Sequence, residues 1–432
     1  MKLRNLLFGT MIACAFVACS NDDDPTPDKG QPEGTAKTVL EIRSNAALET
    51  KAGADEGINA LTMVVFNGDN VEAVSGTAGK AKVSVKQEGI SAGVKSVIVL
   101  ANYTGADITT ADTKATVFGK YVNFVAANAI AETDGHLTMN SQLYSNINVI
   151  ADAYNLFGYD EAPDSDNTYN LIEGGETGGV KLYRNVAKIV LNKVALTEKL
   201  KADQNQYPNA QLALTKAFIL NAKGQSMATG QNGAKWGATQ VATEHEGFAW
   251  YNGVAPETSW AENNKFAYAT AATANADLSK DISGNLIVTK DQSQTISGIS
   301  FYTYENYSSE VEVEKDIKTL FVLQGDFSYT GLVNNKEERI NNPSRYYTLA
   351  VGRTGMANGI DLSQLNDFAG LTRDGVVDNK AFDVLRNLQY NITIGINSIG
   401  YKTPVGGGGD DAVLDVKCQV VPFGQVDQSV EI

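Results

Sequence analysis

The sequence predicts an all-β protein with minor helix, folded as antiparallel β-sandwiches. Three observations carry that expectation. Strand-length runs rich in β-branched and aromatic residues recur along the chain, separated by turn residues. Several runs alternate with period two, most cleanly Tyr390–Asn397, where Ile392, Ile394 and Ile396 face one way and Asn391, Thr393 and Asn397 the other. One stretch keeps helical spacing, Phe118–Ala131, through Tyr121, Phe124, Val125 and Ala129.

Met1–Cys19 reads as a targeting segment. Lys2 and Arg4 supply positive charge, and Leu6–Val17 is an apolar run too short to span a bilayer comfortably. Phe16-Val17-Ala18-Cys19 resembles the lipobox of bacterial lipoproteins, in which the Cys receives diacylglycerol. An ordinary secretory signal with an incidental Cys is the alternative. Ser20-Asn21-Asp22-Asp23-Asp24 is similar to the acidic export tag of Bacteroidetes surface lipoproteins. Pro25–Gly34 has the composition of a flexible tether.

Thr38–Ser44 then reads as a short strand. Thr38, Leu40 and Ile42 share one face, and Val39, Glu41 and Arg43 the other. A small, polar segment follows, Ser44–Ala60, which contains Lys51. A trypsin-like protease can cut there without touching a strand. Leu61–Phe66 is the next strand, ended by the turn Asn67-Gly68-Asp69-Asn70. Lys82–Lys86 alternates, and Val94–Asn102 (VKSVIVLAN) reads as a central strand. Lys181–Val194 holds another strong strand, with a domain boundary expected just after it, near Leu200–Tyr207.

The second half repeats this style in Gln211–Leu220, Thr295–Tyr304, Thr319–Gly325 and Arg345–Val351. Pro404–Asp411, with four consecutive glycines, reads as a flexible connector. Ala412–Val420 follows, and then Gln425–Ile432, in which Val426, Gln428, Val430 and Ile432 share a face opposite Asp427, Ser429 and Glu431. Of Cys14, Cys19 and Cys418, only Cys418 remains for the mature fold, so no intramolecular disulfide is expected there; it reads as a small buried hydrophobe.

The chain is long enough for two domains. Its formal net charge of −15 argues against nucleic-acid binding, which needs a basic face. Signals for chemistry are present and weak. Gly89-Ile90-Ser91-Ala92-Gly93 matches G-x-S-x-G, but a strand follows it where a nucleophile elbow needs a helix. His136 sits in a loop. His245, in Glu244-His245-Glu246, lacks the spacing of a zinc helix. Asp160–Asn167 is acidic but lacks the glycine and distal glutamate of an EF-hand loop. Phe301–Tyr307 (FYTYENY) fits either a sugar-stacking platform or a strand with half its rings buried. No catalytic residue, metal ligand or cofactor is assigned.

Taken together, several segments resemble the fimbrillins of Bacteroidales, the FimA-like and Mfa-like stalk subunits of type V pili. They are the lipobox at Cys19, Leu61–Gly68 after a basic cleavage site, Val94–Asn102, Arg184-Asn185-Val186-Ala187-Lys188-Ile189, Phe301-Tyr302-Thr303-Tyr304-Glu305-Asn306, and Leu414–Val420 leading to a final short strand. Their order and spacing carry the likeness more than any single motif.

The resemblance implies two transthyretin-like β-sandwich domains, an outer-membrane lipoprotein precursor, and an Arg- or Lys-specific surface protease that removes the first strand. On this chain the implied division is a signal peptide at 1–19, a tether and removable strand at 20–51, and domains at 52–200 and 201–432. Lipidation falls on Cys19. Cleavage falls at Lys51, with Arg43 as the alternative inside the strand itself. The removed strand carries Thr38, Leu40 and Ile42, and the donor strand carries Val426, Gln428, Val430 and Ile432.

The expected partners are identical subunits joined head-to-tail, with accessory anchor and tip proteins, in a fimbrium on the cell surface that supports adhesion. The alternative is a tip adhesin or glycan-binding surface lipoprotein that does not polymerise. The physics suits the first scheme. Removing a strand exposes apolar side chains and unpaired backbone, a template for another chain. A head-to-tail contact that does not close yields a filament.

Overall fold

The computed structural model describes the strands at 39–43 and 414–422 and most of residues 60–406. Cys19, Thr38, Lys51, His136, His245 and all of Gln425–Ile432 lie outside the described residues. The fold is dominated by β-strands, as expected. Among the described residues the α-helices are two short ones, Lys114–Phe118 and Glu198–Lys201.

The first half supplies seven main strands: β1 (Val39–Arg43), β2 (Ala60–Asn67), β3 (Asn70–Ala78), β4 (Ser84–Glu88), β5 (Gly93–Ala101), β6 (Tyr154–Phe157) and β7 (Tyr169–Ile172). One sheet runs β7-β6-β1-β4. A second places β2 between β3 and β5. The β2–β3 hairpin turns through Gly68-Asp69, where Gly68 has φ +59, the left-handed backbone that such turns require. β5 is central as the sequence predicts. It pairs with β2 on one side and with Tyr144–Val149 and Met139–Asn140 on the other, and its Val97–Ala101 run is buried.

The second half supplies β8 (Val186–Leu196), β9 (Gln211–Leu220), β10 (Ser300–Tyr304), β11 (Leu320–Val333), β12 (Lys336–Ala350), β13 (Leu388–Ile396) and β14 (Leu414–Pro422). β8 lies between β10 and β13, and β14 continues beyond β13. β11 lies between β9 and β12. β13 alternates buried and half-buried residues along its whole length, the period-two pattern read in the sequence.

Four features differ from expectation. Among its described residues, the helix predicted at Phe118–Ala131 is not formed. The helix ends at Phe118 with Gly119 as its cap, and Tyr121–Asn123 pairs with Gln225–Met227, burying Val122. A ladder to a distant partner overrides the local periodicity there. The strand expected to close the first domain, β8, is bonded instead into a sheet of second-half strands. Tyr183–Arg184, just before it, pairs with Met139–Asn140.

Pairing is also not purely antiparallel: β1 with β6, β6 with β7 and β8 with β13 run parallel. Of the connector expected at Pro404–Asp411, the described part, Pro404–Gly406, is pinned, and the rest lies outside the described residues. Val405 is buried, and its carbonyl accepts from the amides of Lys265 and Phe266 at 3.0 and 2.9 Å.

Buried apolar residues from Leu40 to Ile396 form one contiguous core. A smaller cluster gathers Phe218, Leu220, Trp260, Leu320, Val322 and Val405 on the other face of β9 and β11. Hydrophobic burial of this extent is the main favourable contribution to folding.

Candidate functional site

β1 occupies an interior place in its sheet. It runs antiparallel to β4, with Leu40 opposite Gln87, Glu41 opposite Lys86 and Ile42 opposite Val85. It runs parallel to β6, with Leu40 beside Asn155, Glu41 beside Leu156 and Ile42 beside Phe157. Leu40 is fully buried and belongs to the main core. Val85 and Phe157, the register partners of Ile42, are buried in that core too. A five-residue strand thus fills a slot with a backbone ladder on either side and an apolar floor. Without it, β4 and β6 face each other across two strand spacings, about 9–10 Å.

Both walls of the slot are held by contacts that do not involve β1. On the β6 side, Asn155 is buried. Its Oδ1 accepts from Ile150 N at 2.8 Å and Asn170 Nδ2 at 2.7 Å, and its Nδ2 donates to the carbonyls of Ile150 and Ala153. This fixes the entry to β6 and ties it to β7. On the β4 side, Ser75 Oγ donates to the Lys86 carbonyl at 2.6 Å.

The turn after β4 is clamped by three side chains. Lys95, almost fully buried, lies 2.8 Å from Glu72 Oε2 and donates to Ser91 Oγ at 2.7 Å. Ser91 gives both its amide and its hydroxyl proton to Glu72 Oε1, at 2.6 and 2.7 Å. Burial pushes the Glu72 carboxyl up, but the hydrogen bonds from Lys95 and Ser91 and the Lys95 charge outweigh it, and the carboxyl titrates below its ordinary range.

That cluster settles the role of the G-x-S-x-G match. Gly89 has φ +76 and Gly93 φ +118, so the motif is a turn between strands. Lys95 donates to Ser91 Oγ and pairs with Glu72, and Ser91 gives its hydroxyl proton to Glu72, so all three side chains brace the turn. Ser91 is a turn clamp here.

The outer face of the slot carries a further contact. Lys86 Nζ stands 5.4 Å from the centre of the Tyr154 ring, reaching from β4 over β1 to β6. The Tyr154 ring in turn packs on Tyr169 at 5.6 Å. Lys86 also pairs with Glu88 at 3.0 Å.

A buried polar junction lies elsewhere. The Arg386 guanidinium bonds Glu305 Oε1 at 2.6 Å, Ser226 Oγ at 2.7 Å, Met227 O at 3.0 Å, Asn185 Oδ1 at 3.1 Å and Asn140 Oδ1 at 3.3 Å. Two of the segments singled out in the sequence, around Arg184–Ile189 and Phe301–Asn306, meet on this one side chain. In the aromatic run, Phe301 and Tyr304 are buried and Tyr302 is half-buried with Lys188 over its ring, so the rings pack the fold more than they form a platform. Among the described residues, no group of three or more His, Cys, Asp or Glu is placed to hold a metal, and no helix is long and apolar enough to cross a membrane.

Residues 38–193 match the family model described as major fimbrial subunit protein (FimA). This part of the chain is similar to that family. The matched segment begins one residue before β1 and contains both walls of the slot. In fold, the chain is similar to a candidate cell adhesion protein from Parabacteroides distasonis, with a TM-score of 0.66 and 21% identity over 90% of this chain and 99% of that one.

It is similar also to a fimbrilin (FimA) from Porphyromonas gingivalis, with a TM-score of 0.58 and 20% identity over 91% and 99% of the two chains. A second candidate cell adhesion protein from P. distasonis gives a TM-score of 0.56 and 19% identity over 92% and 100%. No curated protein matches the sequence significantly. The resemblance to FimA-like fimbrillins and the all-β fold class both hold.

The described residues bring Leu40, Ile42 and Arg43 together in β1. Cys19, Thr38, Lys51, Val426, Gln428, Val430 and Ile432 are not among them. Sequence reasoning missed Asn155, Lys95 with Glu72, and Arg386. A charged residue inside an apolar strand, as Lys95 is in VKSVIVLAN, was the one available signal.

Proposed function

We propose that the chain is a non-enzymatic fimbrial subunit that polymerises by strand replacement on the cell surface. The observation that carries this reading is the interior position of β1: a short strand, paired on both sides, in a slot whose walls are braced independently of it. The FimA match over the same residues supports it. Cleavage at Lys51 releases β1 with everything before it. Arg43 is the poorer site, because it sits in the ladder opposite Ser84, and a protease needs an extended segment free of a sheet.

The empty slot then accepts Gln425–Ile432 of a second copy. Burying Val426, Val430 and Ile432 contributes about 5–9 kcal/mol as an upper bound, with ladder hydrogen bonds in addition. The precursor is a lipoprotein held through Cys19, and cutting at Lys51 frees it from the membrane. Anchor and tip proteins complete the fimbrium. The test is the intact mass and N-terminal sequence of protein sheared from its native bacterium. A chain beginning at Ala52 in ladder-forming polymers is the expected result. A monomer still beginning at lipidated Cys19 overturns the shaft reading and leaves a surface-bound adhesin.

A further inference from the structure

The slot around β1 also constrains which residues can fill it. At its centre is the triplet Leu40-Glu41-Ile42. The Leu40 position meets Gln87 and Asn155, and the Ile42 position meets Val85 and Phe157. The Glu41 position between them meets exposed Lys86 on the β4 side and buried Leu156 on the β6 side. Lys86 is exposed there and reaches over β1 to Tyr154. The slot therefore asks for apolar, acid, apolar, with the acid beside a lysine.

Within Gln425–Ile432 one triplet has that pattern, Val430-Glu431-Ile432. Val426-Asp427-Gln428 puts an amide on the buried face, in the place of Ile42 or, entering the other way, of the fully buried Leu40, which is costly without a partner. Gln428-Ser429-Val430 has no acid. A slip of one residue would turn the apolar face outward. The pattern of the triplet reads the same in both directions, so the acid falls on the same position whichever way the strand enters.

Resting on the strand-replacement reading above, we propose that Glu431 of a second copy takes the register position of Glu41, beneath Lys86, with Val430 and Ile432 filling the places of Leu40 and Ile42. Lys86 and Tyr154 then act as the register reader of the slot: they favour an acid at one outward position and bridge over whichever strand lies beneath. The precursor strand and the incoming strand satisfy the same reader, so exchange replaces like with like.

The test uses disulfide trapping in the native bacterium, with Cys418→Ala removing the remaining thiol of the mature chain. Paired antiparallel residues have Cα atoms about 4.5–5.5 Å apart, within the range a disulfide bridges. Lys86→Cys with Glu431→Cys is expected to give a covalent ladder of subunits on non-reducing denaturing gels, at least about 10-fold more abundant than Lys86→Cys with Asp427→Cys. Equal or stronger trapping at 427 overturns the register while leaving strand replacement intact. Absence of any polymer from unmodified cells overturns strand replacement itself, and the register with it.

A charge exchange gives a second readout that does not depend on cysteines. Lys86→Glu is expected to lower polymer yield about 2–5-fold, the range of an exposed cross-strand charge pair, and Glu431→Lys added to it to restore the yield. Failure to restore overturns the proposal.

Discussion

Arg386 Nη2 donates to Glu305 Oε1 at 2.6 Å, and both side chains are buried. The same guanidinium binds Asn185 and Asn140, the latter 246 positions away from it in the chain. Arg386 gathers segments from both halves of the chain: Asn140 beside β5, Asn185 at the start of β8, Ser226 and Met227 after β9, and Glu305 after β10. A planar, permanently charged fork suits such a many-acceptor junction better than a lysine ammonium.

Arg386→Met is therefore expected to destabilise the fold by about 3–5 kcal/mol, because it strands a buried carboxylate and several buried carbonyls. Glu305→Gln keeps the shape and some of the hydrogen bonds, and is expected to cost less, about 1–3 kcal/mol. Urea unfolding of the monomer measures both. A loss below about 1 kcal/mol for Arg386→Met would mean that the junction is relaxed by water or by neighbouring groups.

Leu40 separates the two lives of the chain. Leu40→Ala is expected to destabilise the uncut precursor by about 2–5 kcal/mol, as for a fully buried leucine. It should leave the stability of assembled polymers unchanged, since on the proposed scheme β1 is gone from them. Parallel denaturation of precursor and sheared filaments checks this. An equal loss in both would show that β1 stays in place.

Glu72 gives the acid limb of stability a specific cause. Its carboxyl is held below its ordinary range in the folded chain, against about 4.3 when unfolded. A lowered folded value means the contribution is fully present above the unfolded value and is lost as pH falls through the folded one. Stability should therefore be flat in this group at neutral pH and fall below about pH 4.3. Glu72→Gln should remove that part of the decline while lowering stability at pH 7. Thermal unfolding of the two proteins between neutral and acidic pH measures the difference, and parallel curves would reject it.

Where the sequence was legible, one face of a strand met one buried layer. β13 and β5 were readable because their burial follows their own alternation or apolar run. Phe118–Ala131 misled because short apolar runs fit both periods, and only the ladder from Tyr121–Asn123 to Gln225–Met227 decides between them. The place of β8 was hidden for a related reason: an apolar strand names no partner, and its partners lie more than a hundred residues later. In the slot, β1 itself was visible, while its walls depend on Asn155 and on Lys95 with Glu72, ordinary residues until the fold brings them together. Arg386 gave no local signal at all.

Two glycines, both in left-handed backbone, separate the cost of conformation from the cost of space. Gly68, in the β2–β3 turn, has φ +59, and an added Cβ there would meet nothing within 4 Å. Gly68→Ala is expected to cost only the conformational penalty, about 1–2 kcal/mol. Gly352, after β12, has φ +82, and an added Cβ would lie 1.9 Å from the Asp383 carbonyl oxygen. Asp383 is itself held by its ion pair to Lys318 at 3.0 Å, so the backbone there cannot easily retreat. Gly352→Ala should therefore lose clearly more than Gly68→Ala, about 3 kcal/mol or more, as both strain and displacement contribute. Urea midpoints of the two variants order them directly. If Gly352→Ala proves as mild as Gly68→Ala, the segment carrying Asp383 moves aside at little cost, and the Lys318–Asp383 pair is not the restraint argued for it.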